Sequence, residues 1–112
     1  MLTASDKKIL AKAADIIQAG WCRGVSAMDK CGNERNPGDG DATRFCILGS
    51  VEKALIGNNK EGKFPEKKEP QYQRITGALD EAVPCFNILT WNDMESRRKG
   101  DVVKLLKKLA AS

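Results

Sequence analysis

Histidine is absent from the 112 residues of this chain. Without imidazole there is no ordinary general base near neutral pH, no Ser-His-Asp or Cys-His arrangement, and no zinc site that mixes thiolate with imidazole. Acid–base work would fall to Asp, Glu, Lys, Tyr or Cys alone. Aromatic residues make up only 5% of the chain, few for a base-stacking surface. No apolar run approaches the ~20 residues of a membrane-spanning helix. The start, Met1-Leu2-Thr3-Ala4-Ser5-Asp6-Lys7-Lys8, lacks the basic-then-apolar plan of a signal peptide. These absences point to a cytoplasmic protein with no membrane partner, whose cysteines are reduced.

Cys22, Cys31, Cys46 and Cys85 form no Cys-x-x-Cys pair, so neither a zinc knuckle nor a disulfide framework is expected. Cys46 reads as a small core residue, and Cys22 as the best-placed reactive thiol, because Arg23 beside it could lower its pKa. Asp29, Glu34, Asp39 and Asp41 lack the alternating spacing of a calcium loop. Gly38-Asp39-Gly40-Asp41 lacks the Lys-Ser/Thr of a phosphate loop, and its acids would repel phosphate. No metal or cofactor is expected.

What remains is ordinary soluble-protein chemistry. The net charge of +4 is mild, and the length suits one domain with its own core. No repeat or low-complexity tract interrupts it. The fold class is mainly α, with a small α+β variant open: a single domain of about four helices over residues 1–112, with a turn-rich insertion after the first that could form a β-hairpin.

The first helix is expected from about Ser5 to Ala19, capped by Ser5 or Thr3, with Ile9, Ala13, Ile16 and Ile17 on one face. Gly20 is placed as a left-handed stop, with Trp21 folding back on Ile16 or Ile17. Residues 23–41 are rich in Gly, Asn, Asp and Pro; within them Val25–Met28 and Asn33–Arg35 could pair across a turn at Asp29–Gly32. A second helix is expected from near Asp41, capped by Asp39 or Asp41, to about Ile56. It carries the nearly all-apolar stretch Phe45–Val51, in which Gly49 signals close approach by another element. Residues 57–70 read as a solvated linker of mixed charge, anchored by Phe64-Pro65. A third helix begins near Pro70, carries Tyr72, Ile75, Leu79, Ala82 and Val83, and ends at Pro84. Cys85–Trp91 could be strand, helical turn or extended chain. The last helix spans about Arg97 to Ala111, with Val102, Leu105, Leu106 and Leu109 on one face.

Three short signatures punctuate these elements: Trp21-Cys22-Arg23-Gly24, Arg44-Phe45-Cys46-Ile47-Leu48-Gly49-Ser50 and Trp91-Asn92-Asp93. Together with Ala13-Ala14-Asp15-Ile16-Ile17, Gly20, Arg97 and Asp101-Val102-Val103-Lys104-Leu105-Leu106, their order and spacing resemble a family of small, uncharacterised bacterial and phage proteins. The resemblance covers most of the chain outside 57–70. It implies a mostly helical fold, a possible phage or mobile-element origin, and no assigned activity. One departure is Arg98, where members of that family often carry a Thr able to cap the last helix; Ser96 or Asp93 would take that role here.

The candidate site is Trp21, Cys22, Arg44, Cys46, Trp91, Asn92, Asp93 and Arg97. In its architectural form Asp93 pairs with Arg44 or Arg97 while Asn92 satisfies loop backbone. In its functional form Cys22, Asp93 and Arg97 line a pocket for a small ligand or a reaction. A nearby Arg would push the Asp93 pKa down, the wrong way for a general base. A third reading uses the basic start of the last helix, Arg97, Arg98, Lys99 and Lys104, to hold nucleic-acid phosphate, although no helix-turn-helix pattern supports it. The favoured expectation is a small intracellular, non-enzymatic binding protein acting on a protein partner.

Overall fold

The computed structural model describes residues 1–59 and 64–112, so the expected linker residues Lys60, Glu61 and Lys63 lie outside the described residues. Helix α1 (Ala4–Ala19) is followed by three two-residue strands, β1 (Ala27–Met28), β2 (Glu34–Arg35) and β3 (Arg44–Phe45), then by α2 (Ile47–Ile56), α3 (Glu69–Ala82), α4 (Ile88–Asp93) and α5 (Lys99–Ala110). The architecture is mainly α with a small sheet. Among the described residues there are five α-helices where about four were expected, because the ambiguous stretch before Trp91 closes into the short helix α4. Asn87 supplies the reason: its Oδ1 accepts the Thr90 N–H at 2.8 Å, and Asp80 Oδ1 accepts the Ile88 N–H at 2.8 Å.

Thr3 starts α1. Its hydroxyl accepts the Asp6 N–H at 3.0 Å and Asp6 Oδ2 accepts the Thr3 N–H at 2.9 Å, a reciprocal capping box. The buried face is Leu10, Ala13, Ala14 and Ile17, with Ile9 and Ile16 at its margins. That stripe packs chiefly on α5, through Val102, Val103 and Leu106, and on α2, through Val51, Ala54 and Leu55. Ile75 and Leu79 of α3, with Val83, close the core.

Gly20 does not adopt the left-handed conformation expected of it. Its backbone is extended, with φ −176° and ψ 127°. Glycine is needed there for room: an ideal Cβ would stand 2.2 Å from the Thr43 carbonyl oxygen. The chain running through Gly20–Cys22 lies against β3, with Phe45 N–H donating to Gly20 O at 3.1 Å and Cys22 N–H to Phe45 O at 3.1 Å.

The hairpin forms, and β1 lies between β2 and β3 in an antiparallel sheet, with Ala27 opposite both Arg35 and Phe45. Asp29 organises its turn. Its Oδ1 accepts the N–H groups of Cys31 at 2.9 Å and Asn33 at 3.0 Å, and its Oδ2 takes Arg35 Nε at 3.0 Å. The third strand corrects the second helix: Arg44 and Phe45 are β, not α, and α2 starts six residues later than expected, at Ile47. Asp39 and Asp41 therefore cap no helix; Asp39 Oδ1 instead accepts the Asp41 N–H at 2.8 Å in a local turn. The expected linker is also shorter. A 3₁₀ turn occupies Glu66–Lys68 and α3 begins at Glu69, while Phe64 packs on Tyr72 with ring centroids 4.9 Å apart.

Asp6 ties α1 to α3. Its carboxylate is 0% exposed, receives Arg74 Nε at 2.6 Å and Nη2 at 2.8 Å, and takes Gln71 Nε2 at 3.1 Å. The Arg74 guanidinium beside it holds this carboxyl well below the usual carboxylate range, against the opposing pull of burial. A carboxyl whose pKa is lowered by folding contributes stability that is present above its unfolded value of about 4 and is lost as pH falls toward its folded value. Urea unfolding between pH 7 and pH 3 is expected to show that loss. Arg74→Gln is expected to flatten it and to lower stability at pH 7, the arginine being partly solvent-screened; an unchanged pH profile would refute the tie.

Candidate functional site

Asn92 sits at the centre of the signature residues, 0% exposed on the short helix α4. Its Oδ1 accepts Trp21 Nε1–H at 2.9 Å and the Ile47 N–H at 3.0 Å. Its Nδ2 donates to the Cys22 carbonyl at 3.3 Å and to Asp93 Oδ1 at 2.9 Å. Both acceptor and donor capacities of the amide are thus in use. The Ile47 bond matters because Ile47 opens α2, and its N–H has no partner within that helix. An asparagine 45 residues downstream caps it.

Cys46 completes that helix start. It is the N-cap of α2: its Sγ accepts the Gly49 N–H at 3.3 Å, and its own N–H donates to Ser26 O at 3.0 Å. The expectation of a mid-helix core residue is corrected in place but not in burial, since Cys46 is 2% exposed. Gly49 is where the hairpin approaches: a Cβ there would stand 2.0 Å from Ser26 O.

Asp93 is exposed, and its Oδ1 also accepts the Gly24 N–H at 3.1 Å, holding the loop after Trp21. Among the described residues it makes no ion pair with Arg44 or Arg97, so the expected Asp–Arg pairing is replaced by amide and backbone contacts. Arg44 turns to the hairpin, donating from Nη2 to Asp29 O at 3.2 Å. Arg97 folds back onto Trp91: its Nε donates to the Trp91 carbonyl at 2.9 Å and its guanidinium lies 3.8 Å from the ring centroid. Arg23 does the same at Trp21, 4.9 Å from the ring, and reaches the carbonyls of Glu95 and Arg97. Two arginines and two tryptophans thus bracket the Asn92 hub.

Cys22, the best-placed thiol on sequence grounds, is not activated. Burial, reinforced by the neighbouring Cys46 sulfur, pushes it up to about 11. The Arg44 charge pulls the other way but does not offset burial, and the Arg23 guanidinium is turned to Trp21 and the carbonyls beyond. Burial raises Cys46 as well. Nucleophilic chemistry needs thiolate, so neither buried sulfur is prepared for it. All four cysteines are free thiols.

The basic residues at the start of the last helix are also partly committed. That helix begins at Lys99, two residues later than expected, and Asp101 rather than Ser96 or Asp93 secures its start by accepting the Arg98 N–H at 3.0 Å. Lys99 Nζ donates to Gln18 O at 3.2 Å, Arg97 is stacked on Trp91, and Lys104 is exposed.

The clefts lie elsewhere. One of about 640 Å³ is bordered by Lys12, Ile16, Phe45 and Lys53; another of about 250 Å³ is bordered by Leu48, Tyr72, Ile88 and Leu89. None of the eight candidate site residues borders either, although Phe45 and Leu48 of the second signature do. Phe86, which precedes the cleft-bordering Asn87 in the chain, stands 92% exposed, and the bordering Leu89 is 43% exposed. Sequence reasoning missed this face, because nothing in Pro84-Cys85-Phe86-Asn87 marks Phe86 as pointing outward. The Asn87 cap was the available signal: it fixes the turn that leaves Phe86 outside α4. No group of His, Cys, Asp or Glu able to hold a metal occurs among the described residues, and no described helix is long and apolar enough to cross a membrane.

No curated protein and no solved structure matches the chain. A family profile does, over residues 1–112. The match spans the whole chain, which therefore belongs to DUF6197, a family of unknown function.

Proposed function

We propose that this protein is a small intracellular, non-enzymatic binding protein that engages a protein partner through the exposed Phe86 and Leu89 at the start of α4. One observation carries the reading: a phenylalanine 92% exposed immediately precedes Asn87, which borders an apolar cleft of about 250 Å³. A projecting aromatic next to a recess is the anatomy of an interface anchor, and burying such a side chain gains about 2–3 kcal/mol. The signature cluster supports the non-enzymatic part, since its amide is saturated internally and its thiols are held protonated. Free cysteines suit a reducing compartment.

The test places a photo-crosslinking amino acid at Phe86 in producing cells, with the same residue at exposed Lys30 as control. One dominant protein adduct specific to position 86 is expected, and an adduct of twice the chain mass would identify that partner as a second copy. Adducts no stronger than at Lys30, or adducts to nucleic acid, would overturn the proposal.

A further inference from the structure

The cleft beside Lys12 and Lys53 has a chemistry of its own. It lies between the last two turns of α1 and the end of α2, floored by Ile16 and Phe45 and walled by Ala42 and Thr43. Its volume of about 640 Å³ falls within the range of small-molecule sites, roughly 300–1,000 Å³. Among the described residues, Lys12 and Lys53 are the charged ones that border it, and no carboxylate does.

Lys53 is half-buried. Its ammonium donates to Asn58 Oδ1 and makes no ion pair among the described residues. Asp39, the carboxylate whose field reaches it, is held by Arg35 at 3.6 Å. Burial draws the Lys53 pKa down from the ordinary lysine value, as expected for a cation short of a counter-charge. Two helix carboxyl ends also reach this region, and each carries about half a negative charge. Two ammonium groups, each a full positive charge, stand at the rim of an apolar floor.

We infer that this cleft binds a small organic anion, an apolar chain or ring carrying one carboxylate or phosphate group. The apolar part lies on Ile16 and Phe45, and the anion is met by Lys53 and Lys12. This site is separate from the Phe86 face and stands or falls independently of it.

The probes are octanoate, octyl phosphate, octanol and octylammonium, titrated into the full chain and followed by amide chemical shifts. The two anions are expected to move the amides of Ile16, Ala19, Thr43 and Gly57, at least fivefold more tightly than octanol. Octylammonium is expected to bind more weakly still. The tighter of the two anions identifies the headgroup. Lys53→Met, which keeps the stem length, is expected to weaken octanoate at least fivefold and leave octanol unchanged. Lys12→Met, at an exposed position that the fold does not need, is expected to weaken octanoate in the same direction. Phe86→Ser is expected to leave all four titrations unchanged. Equal binding of octanoate and octanol, shifts centred elsewhere, full affinity in both lysine variants, or no binding of either anion at millimolar concentration would overturn the inference.

Discussion

Replacing Asn92 with alanine is expected to cost about 3–4 kcal/mol of folding stability. The amide is fully buried and joins three chain segments: the loop at Trp21–Cys22, the first residue of α2, and α4 itself. Its removal leaves the Trp21 indole N–H, the Ile47 N–H and the Cys22 carbonyl without their partner. Each such group costs about 1–3 kcal/mol when it cannot reach water. Trp21 is only half-buried and recovers part of its loss, which holds the total near the lower sum. Against a total stability of about 5–15 kcal/mol, the loss lowers the melting temperature on the order of 10–20 °C. Asn92→Asp separates the amide's two roles. It keeps the acceptor for Trp21 and Ile47 but loses the donor to Cys22, and places a second carboxylate beside Asp93. Burial and that neighbour raise the pKa of the introduced carboxyl in the folded state. Its penalty is therefore greatest at neutral pH and is partly relieved as pH falls toward 4. Urea unfolding of both variants at pH 7 and pH 4 checks this. A cost below about 1 kcal/mol for Asn92→Ala would show that water replaces the amide and that the network is not architectural.

Asn92 also marks the limit of what periodicity can read. The helices α1, α3 and α5 were legible because their apolar spacing is strong and their ends carry caps or proline, and the hairpin was legible from its turn residues. The apolar stretch Phe45–Val51 misled because its first part is buried as a strand and its second as a helix, and both give the same uninterrupted run. The change of state occurs at Cys46, an N-cap whose sulfur does the work usually done by an oxygen. Trp21, Cys22, Ile47 and Asp93 meet around the Asn92 amide, but Arg44 turns to the hairpin and the expected Asp–Arg pairing does not form. An arginine near an acid in sequence suggests an ion pair, whereas Arg97 and Arg23 are claimed by tryptophan faces and backbone carbonyls. Those contacts depend on how α4 is seated, and the six residues of α4 carry no periodic pattern. The outward Phe86 and the cation-lined cleft escaped for a related reason. Exposure of one aromatic, and the meeting of Lys12 with Lys53, are properties of packing between distant segments.

Gly49→Ala is expected to destabilise the protein by about 2–3 kcal/mol, although alanine is the better helix former by about 1 kcal/mol. Two effects compete at this position. Gly49 lies inside α2, so on propensity alone the substitution stabilises. The opposing effect is steric: the added methyl would stand 2.0 Å from Ser26 O and 2.9 Å from Ser26 C, both backbone atoms. A flexible side chain could swing aside, but Ser26 cannot, because its carbonyl accepts the Cys46 N–H at 3.0 Å and so anchors the hairpin to the start of α2. Relief requires β1 and α2 to separate, which also strains the Asn92 bond to Ile47. The clash therefore wins. Gly77→Ala supplies the matched control. Gly77 is an exposed residue within α3, and a Cβ there meets nothing within 4 Å. Only propensity acts, so that variant is expected to gain about 0.5–1 kcal/mol. The same substitution in two helices of one chain should thus shift the urea midpoint in opposite directions. If Gly49→Ala moved it upward with Gly77→Ala, the hairpin would not be seated against α2 at Ser26, and the route by which α4 caps α2 from across the chain would lose its support.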